Sequence, residues 1–133
     1  MERIGRVVAR RRELFQEYAK RLKGERGVKM AMEAGWAKSV FWQICVVLTE
    51  EFGCSKDDAM ARLQKNGVET RSFFCPMNLQ PLFSGQSKRF PDLRGKYPVS
   101  DYLWEHGLYL PSGLGLTEGQ IDEVVEKLLQ CRR

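Results

Sequence analysis

GVETRSFFCPMNLQPLF, residues Gly67 to Phe83, decides how the rest of the chain is read. Asn66-Gly67 supplies the left-handed residue that closes a helix C-terminus. Val68, Thr70 and Phe73 favour extended backbone, and Arg71 is the one basic residue inside that run. Pro76 and Pro81 stop regular structure and stiffen the loop that contains them. Asn78 and Gln80 lie between them among apolar neighbours. The pattern predicts a short strand running into a rigid, mostly apolar loop with a few polar tips, a way of presenting a ligand contact. The chemistry leaves a second reading open, in which Arg71 is a solvated strand residue and Asn78 and Gln80 are ordinary turn residues.

Working back from this stretch, Ser55-Lys-Asp-Asp58 starts the preceding helix, with Ser55 as N-cap and Asp58 at the third position. Ala59, Met60 and Leu63 point inward. Before it, SVFWQICVVLT (39–49) is an apolar, β-rich run, expected to form a strand buried on both faces at its middle. Strand, helix and strand in this order predict an α+β fold, a small sandwich, with the Arg71 strand returning beside the first one. Whether the two run parallel or antiparallel stays open. Gly24, Gly27 and Gly35 mark a loop. Ile4, Val7, Val8, Leu14, Phe15, Tyr18 and Leu22 recur at helical spacing from Glu2 to about Lys23. Arg10, Arg11 and Arg12 could bind phosphate. The plainer alternative is a solvated helix with Glu13 and Glu17 as partners.

Beyond the central stretch, residues 84–96 are polar and glycine-bearing and read as a mobile loop. Pro98 starts a helix with Val99, Tyr102 and Leu103 inward and Gly107 as its stop. His106, the only histidine, needs no catalytic role, because a helix C-terminus already favours it. Leu108–Leu110 is a candidate strand. Thr117 and Gln120 form a capping box before the stripe Ile121, Val124, Val125, Leu128, Leu129, which is core packing.

A chain of 133 residues can bury roughly two-thirds of its unfolded surface, enough for a real core. No apolar run approaches the roughly 20 residues that span a bilayer. The start, MERIGRVVARRRELF, has no signal-peptide pattern. Cys45, Cys54, Cys75 and Cys131 form no C-x-x-C pair, which argues against a metal site and for reduced thiols in a cytoplasmic protein, with Cys45 in the core. The charge of +5 (22 basic minus 17 acidic) suits an anionic partner: nucleic acid, acidic membrane or a nucleotide diphosphate. No phosphate-binding glycine loop, dinucleotide fingerprint or catalytic triad is present.

GVETRSFFCPMNLQPLF resembles the G-[IV]-E-T-R-x-x-F-x-P-[LM]-[HN]-x-Q-P stretch of DegT/DnrJ/StrS-type sugar aminotransferases, matching at Gly67, Glu69, Thr70, Arg71, Phe74, Pro76, Met77, Asn78, Gln80 and Pro81. SVFWQICVVL, FPDLRGKYPVSDYLWEHGLYLPSG and LTEGQIDEVVEKLLQ resemble other stretches of the same family in the same order. The resemblance covers nearly the whole chain but only the C-terminal third of such an enzyme. It implies the small domain of a fold-type I aminotransferase: a linking helix at 1–23 and an α+β domain at 39–133, without the large domain that holds pyridoxal phosphate. It further implies that Arg71, Phe74, Pro76, Asn78 and Gln80 line the substrate pocket, although many members carry His where Asn78 stands. The intact enzyme would use pyridoxal phosphate to move an amino group from an amino acid, commonly glutamate, to a nucleotide-linked keto sugar, as a homodimer. No lysine here lies in the family's cofactor-anchoring segment, so the chain alone is expected to bind no cofactor and to be inactive.

The rival class is a stand-alone basic module for dimerisation or for single-stranded nucleic acid. Phe73, Phe74, Trp42 and Trp104 fall in apolar runs that look like core, which argues against nucleic acid.

Overall fold

The computed structural model of the chain describes residues 2–83, 85 and 89–132. Four helices, α1 (Ile4–Leu22), α2 (Lys56–Lys65), α3 (Pro98–His106) and α4 (Glu118–Leu129), combine with four strands, β1 (Val28–Met30), β2 (Ile44–Leu48), β3 (Arg71–Ser72) and β4 (Gly107–Leu110). The fold is α+β, as expected, with a small antiparallel sheet in the order β1-β2-β4-β3.

Helix α1 forms because its apolar residues recur every three or four positions, and Lys20 and Arg21 in its last turn suit the negative end of the helix dipole. Leu14, Tyr18 and Leu22 are buried. They meet Ile44, Val46 and Leu48 of β2, Leu108 and Leu110 of β4, and Ile121, Val124, Val125 and Leu128 of α4 in one core. Each such side chain contributes about 1.5–3 kcal/mol. Ser55 accepts from the Asp58 amide at the start of α2, and Thr117 and Gln120 form the capping box of α4.

Several expectations need correction. The apolar run at 39–49 is a strand only from Ile44, and its alternate burial shows one face covered rather than two. Ser39–Gln43 cannot extend the strand because Phe41 turns the backbone at φ +44°. The glycine-bearing stretch at 24–35 contains β1, since Gly27 turns the chain at φ +75° directly against the backbone of Phe52. Strand β3 does not return beside β2, because β4 lies between them. Both pair antiparallel with β4, so β2 and β3 run in the same sense without touching. Val99 and Leu103 are exposed rather than inward. Gly107 ends α3 not by a left-handed turn but by entering β4, buried. Cys45 is half-buried on the sheet face away from the core. None of Phe73, Phe74, Trp42 and Trp104 is buried. Part of the 84–96 loop lies outside the described residues. Its described portion contains Asp92, held to Arg94 at 2.6 Å.

The three adjacent arginines do more than the plainer reading expects: Arg10 does pair with Glu13, at 3.3 Å, but all three also hold the chain elsewhere. They fan around the helix and together fasten two loops, the one after β4 and the one before β2. Arg10 donates to the carbonyls of Leu114 (3.2 Å) and Leu116 (2.6 Å). Arg11 donates to Trp42 (2.8 Å) and Ser112 (2.6 Å). Arg12 grips the Glu33 carboxylate at 2.7 and 2.8 Å and the Ser39 carbonyl. These bonds to Arg12, helped by the Ser39 amide, hold the Glu33 carboxyl down at about 2.

Candidate functional site

Strand β3 is short because β4 is its partner and β4 begins at Gly107, opposite the position just after Ser72, where α3 ends. Arg71 stands opposite Tyr109, and Tyr109 opposite Cys45. Cross-strand partners share a face, and the residues flanking Tyr109 and Cys45 point into the core. The row Cys45–Tyr109–Arg71 therefore crosses the face opposite the core. The Arg71 side chain is 81% exposed and its nearest carboxylate, Glu69, is 3.7 Å away, so this loose pair fixes little. Burial pushes up the Cys45 thiol, which makes it a poor nucleophile. Burial also raises the Tyr109 hydroxyl, opposed by a hydrogen bond with the Phe74 backbone.

Aromatic rings continue this face. Phe73 stacks on Tyr109 with centroids 4.7 Å apart. Its amide donates to the Gly107 carbonyl at 3.1 Å, and its ring lies where a side chain on Gly107 would stand. Phe74 points outward, 71% exposed, with Tyr109 tilted against it at 5.8 Å and Trp42 at 6.4 Å.

The loop after β3 is rigid. Pro76 leads into the tight turn Met77–Leu79, and Pro81 into a second one at Pro81–Phe83. Asn78 is buried and donates to the Asp101 carboxylate at 2.6 Å, tying the loop to the first turn of α3. Gln80 donates to the Cys75 carbonyl at 3.3 Å, folding the loop on itself. Of the five residues that resemblance implies, the structure exposes Arg71 and Phe74 outward. Pro76 is half-buried, and the amides of Asn78 and Gln80 are occupied within the protein. Beside Arg71 an open cleft of about 470 Å³ is lined by Gln43, Glu69, Arg71, Tyr109, Ser112 and Glu123, among others.

Sequence reasoning missed two residues. The apolar run places Trp42 in a strand, yet it stands 57% exposed beside Phe74. Lys56 is buried, donating to Ser72 Oγ and to the Trp104 carbonyl, each at 3.0 Å, with its ammonium 5.5 Å over the Trp104 ring. A lysine in the first turn of α2 opposes the helix dipole, and that mismatch is the signal by which the sequence could have shown it. His106 places Nδ1 3.1 Å from the Leu48 carbonyl and lies tilted against Tyr102 at 4.2 Å, a structural position. Among the described residues no group of His, Cys, Asp and Glu could hold a metal, and no helix is long and apolar enough to cross a membrane.

Comparison with known proteins adds the family. The profile of the DegT/DnrJ/EryC1/StrS aminotransferase family matches residues 1–129. GDP-perosamine synthase of Vibrio cholerae is 25% identical over 93% of this chain and 32% of its own length. GDP-perosamine synthase of Caulobacter vibrioides is 30% identical over 98% of this chain and 34% of its own length. The solved structure of DesI with its TDP-sugar product superposes with a TM-score of 0.80 at 26% identity, covering 98% of this chain and 32% of DesI. The aminotransferase TlmJ of Streptoalloteichus hindustanus gives 0.80 at 21% identity, covering 98% of this chain and 33% of its own, and supports the fold alone. The chain thus spans about a third of the length of the proteins it matches.

Proposed function

Because the chain belongs to the DegT/DnrJ/EryC1/StrS aminotransferase family, we propose that it forms the substrate-side portion of an enzyme transferring an amino group from an amino acid to a nucleotide-linked keto sugar. The carrying observation is the match along almost the whole chain to two GDP-perosamine synthases and to the structure of DesI with its TDP-sugar product. In this reading Arg71 and Phe74, which point outward from β3, contact the ligand. Pro76, Asn78 and Gln80 hold the loop that aims Phe74. A guanidinium cannot deprotonate near neutral pH and offers a fork of donors, which suits a phosphate or carboxylate.

Pyridoxal phosphate is the cofactor this family implies. The described residues do not fit as its covalent anchor. Lys56, the one buried lysine among them, has its ammonium bonded to Ser72 and Trp104 and stacked on an indole. With that lysine committed, and no lysine of the chain standing in the segment that anchors the cofactor in the resembling family, we assign cofactor attachment to residues outside this chain and derive no step through the cofactor here. Exposure of Trp42 and Phe74 removes the sequence argument that aromatic burial excludes nucleic acid. Family membership is what sets the rival reading aside.

A chimera tests the proposal. This chain replaces the matching third of the Vibrio cholerae GDP-perosamine synthase, and amino transfer from glutamate is measured with GDP-, UDP- and TDP-linked keto sugars. Transfer above that of the truncated enzyme is expected. A chimera that folds and retains pyridoxal phosphate, yet aminates none of these sugars, would refute the proposal.

A further inference from the structure

Trp42 is held in its exposed position by strained backbone. Phe41 sits at φ +44°, the only positive value at a non-glycine position among the described residues. For a bulky side chain that region costs on the order of 1–3 kcal/mol. Three contacts maintain it. The Phe41 ring stacks on Phe15 with centroids 3.7 Å apart and planes 8° from parallel. The Arg12 guanidinium lies 5.4 Å over the same ring. Arg11 donates to the Trp42 carbonyl at 2.8 Å. The result is that Phe41 is buried at 8% exposure while its neighbour Trp42 is turned out.

Phe74 arrives beside Trp42 by an independent route. Strand β3 ends at Ser72, so the chain is free to turn beyond it. Phe73 and Phe74 both lie against Tyr109, at 4.7 and 5.8 Å, Phe73 closed between Tyr109 and Gly107 and Phe74 turned out. The Trp42 and Phe74 planes are only 15° from parallel, yet their centroids are 6.4 Å apart, far wider than the 3.7 Å of the closed Phe15–Phe41 stack. Two large, nearly parallel π faces stay mostly in water, 57% and 71% exposed, in an offset pair at the wide end of the range in which rings attract.

From the strain at Phe41, the parallel exposed rings and the cation one row away, the geometry points to a stacking site on Trp42 and Phe74 for the planar base of a nucleoside diphosphate. Arg71, on the face shared with Tyr109, supplies the fixed positive charge for the diphosphate. Naming the ligand as a nucleotide rests on the proposed amino transfer to a nucleotide-linked sugar, whereas the stacking geometry does not. Stacking on aromatic side chains tolerates any base because every base has a π face.

The test titrates the 133-residue chain with UDP, GDP and TDP, with the corresponding nucleosides, and with inorganic pyrophosphate. The readout is the Trp42 indole N–H resonance, assigned with Trp36→Phe and Trp104→Phe variants. Nucleoside diphosphates should shift it, nucleosides should shift it more weakly, and pyrophosphate should not. Phe74→Ala should weaken nucleoside diphosphate binding about five-fold or more, and Phe74→Tyr should restore it. Arg71→Gln should weaken the diphosphates but not the nucleosides. A dispersed spectrum certifies that each variant is folded. The inference is overturned if no base-containing ligand moves the resonance, if pyrophosphate binds as well as a nucleoside diphosphate, or if Phe74→Ala binds as its parent does. Preference for a single-stranded oligonucleotide over every mononucleotide would overturn it too. An inactive chimera with the Trp42 shift intact would refute amino transfer and leave the stacking site standing. An active chimera without the shift would do the reverse.

Discussion

Replacing Gly107 with alanine puts a methyl group where the structure has no room. Its carbon would lie 2.3 and 2.4 Å from two ring carbons of Phe73 and 2.4 Å from the Leu103 carbonyl oxygen. Carbon atoms normally meet at about 3.5–4.0 Å, so the ring must retreat by roughly an ångström. It cannot do so freely, because Tyr109 stacks against it at 4.7 Å. The Leu103 carbonyl belongs to the last turn of α3 and is equally fixed. Gly107 has φ −95° and ψ 138°, which alanine adopts without strain, so the cost is purely steric. Overpacking costs typically about 1–3 kcal/mol, offset by about 0.4–1 kcal/mol from a stiffer unfolded chain. The net loss is about 1–2 kcal/mol, a fall in Tm of roughly 4–8 °C for a chain of this size. Urea unfolding gives the energy, and near-ultraviolet circular dichroism tracks the Phe73–Tyr109 environment. An unfolding energy within about 0.5 kcal/mol of the parent, with that aromatic signal unchanged, would refute the reasoning.

Lys56→Met keeps the stem but leaves the Ser72 hydroxyl and Trp104 carbonyl without their donor. Urea unfolding should show a loss of about 1–3 kcal/mol, and a stabilised variant would contradict this. The Glu33 carboxyl is held at about 2, below its ordinary value of 4.5. Its folded pKa is the depressed one, so the Arg12–Glu33 clamp contributes fully above the ordinary value and is lost as pH falls through about 2. A side-chain carbonyl titration by NMR should find that midpoint, and one near the ordinary value would show the clamp open in solution. Arg71→Ala should change unfolding energy by less than about 0.5 kcal/mol, given an exposed and loose ion pair. A larger loss would make Arg71 a scaffold residue.

What was legible in the sequence were features carried by local pattern. The α4 stripe, the Thr117–Gln120 box, the Ser55 cap and the Asn66-Gly67 stop depend on residues within one or two turns of each other. All appear as expected. The strand order was not legible, since nothing in β3 says that a strand from much later in the chain will come between it and β2. The exposure of Trp42 depends on Arg11, Phe15 and the turn at Phe41 acting together, and an apolar run reads the same whether or not it bends. The arginine cluster was legible only in part: the Arg10–Glu13 pair follows from their spacing, but the other partners of Arg10 and Arg11 are carbonyls at Trp42, Ser112, Leu114 and Leu116, and carbonyls leave no mark in a sequence.

Strand β3 joins the sheet through β4 alone. During synthesis Arg71 and Ser72 leave the ribosome well before Gly107–Leu110, so they wait unpaired while β2 and α2 are already available. Attachment of the Arg71 strand is therefore a late event, and it reports that translation has run through Leu110. A nascent chain interrupted before that point would keep its arginine and its prolines and still have no edge on which to mount them. Proteolytic susceptibility around Cys75, high until β4 docks and low afterwards, would make the stage of synthesis visible as a cleavage pattern.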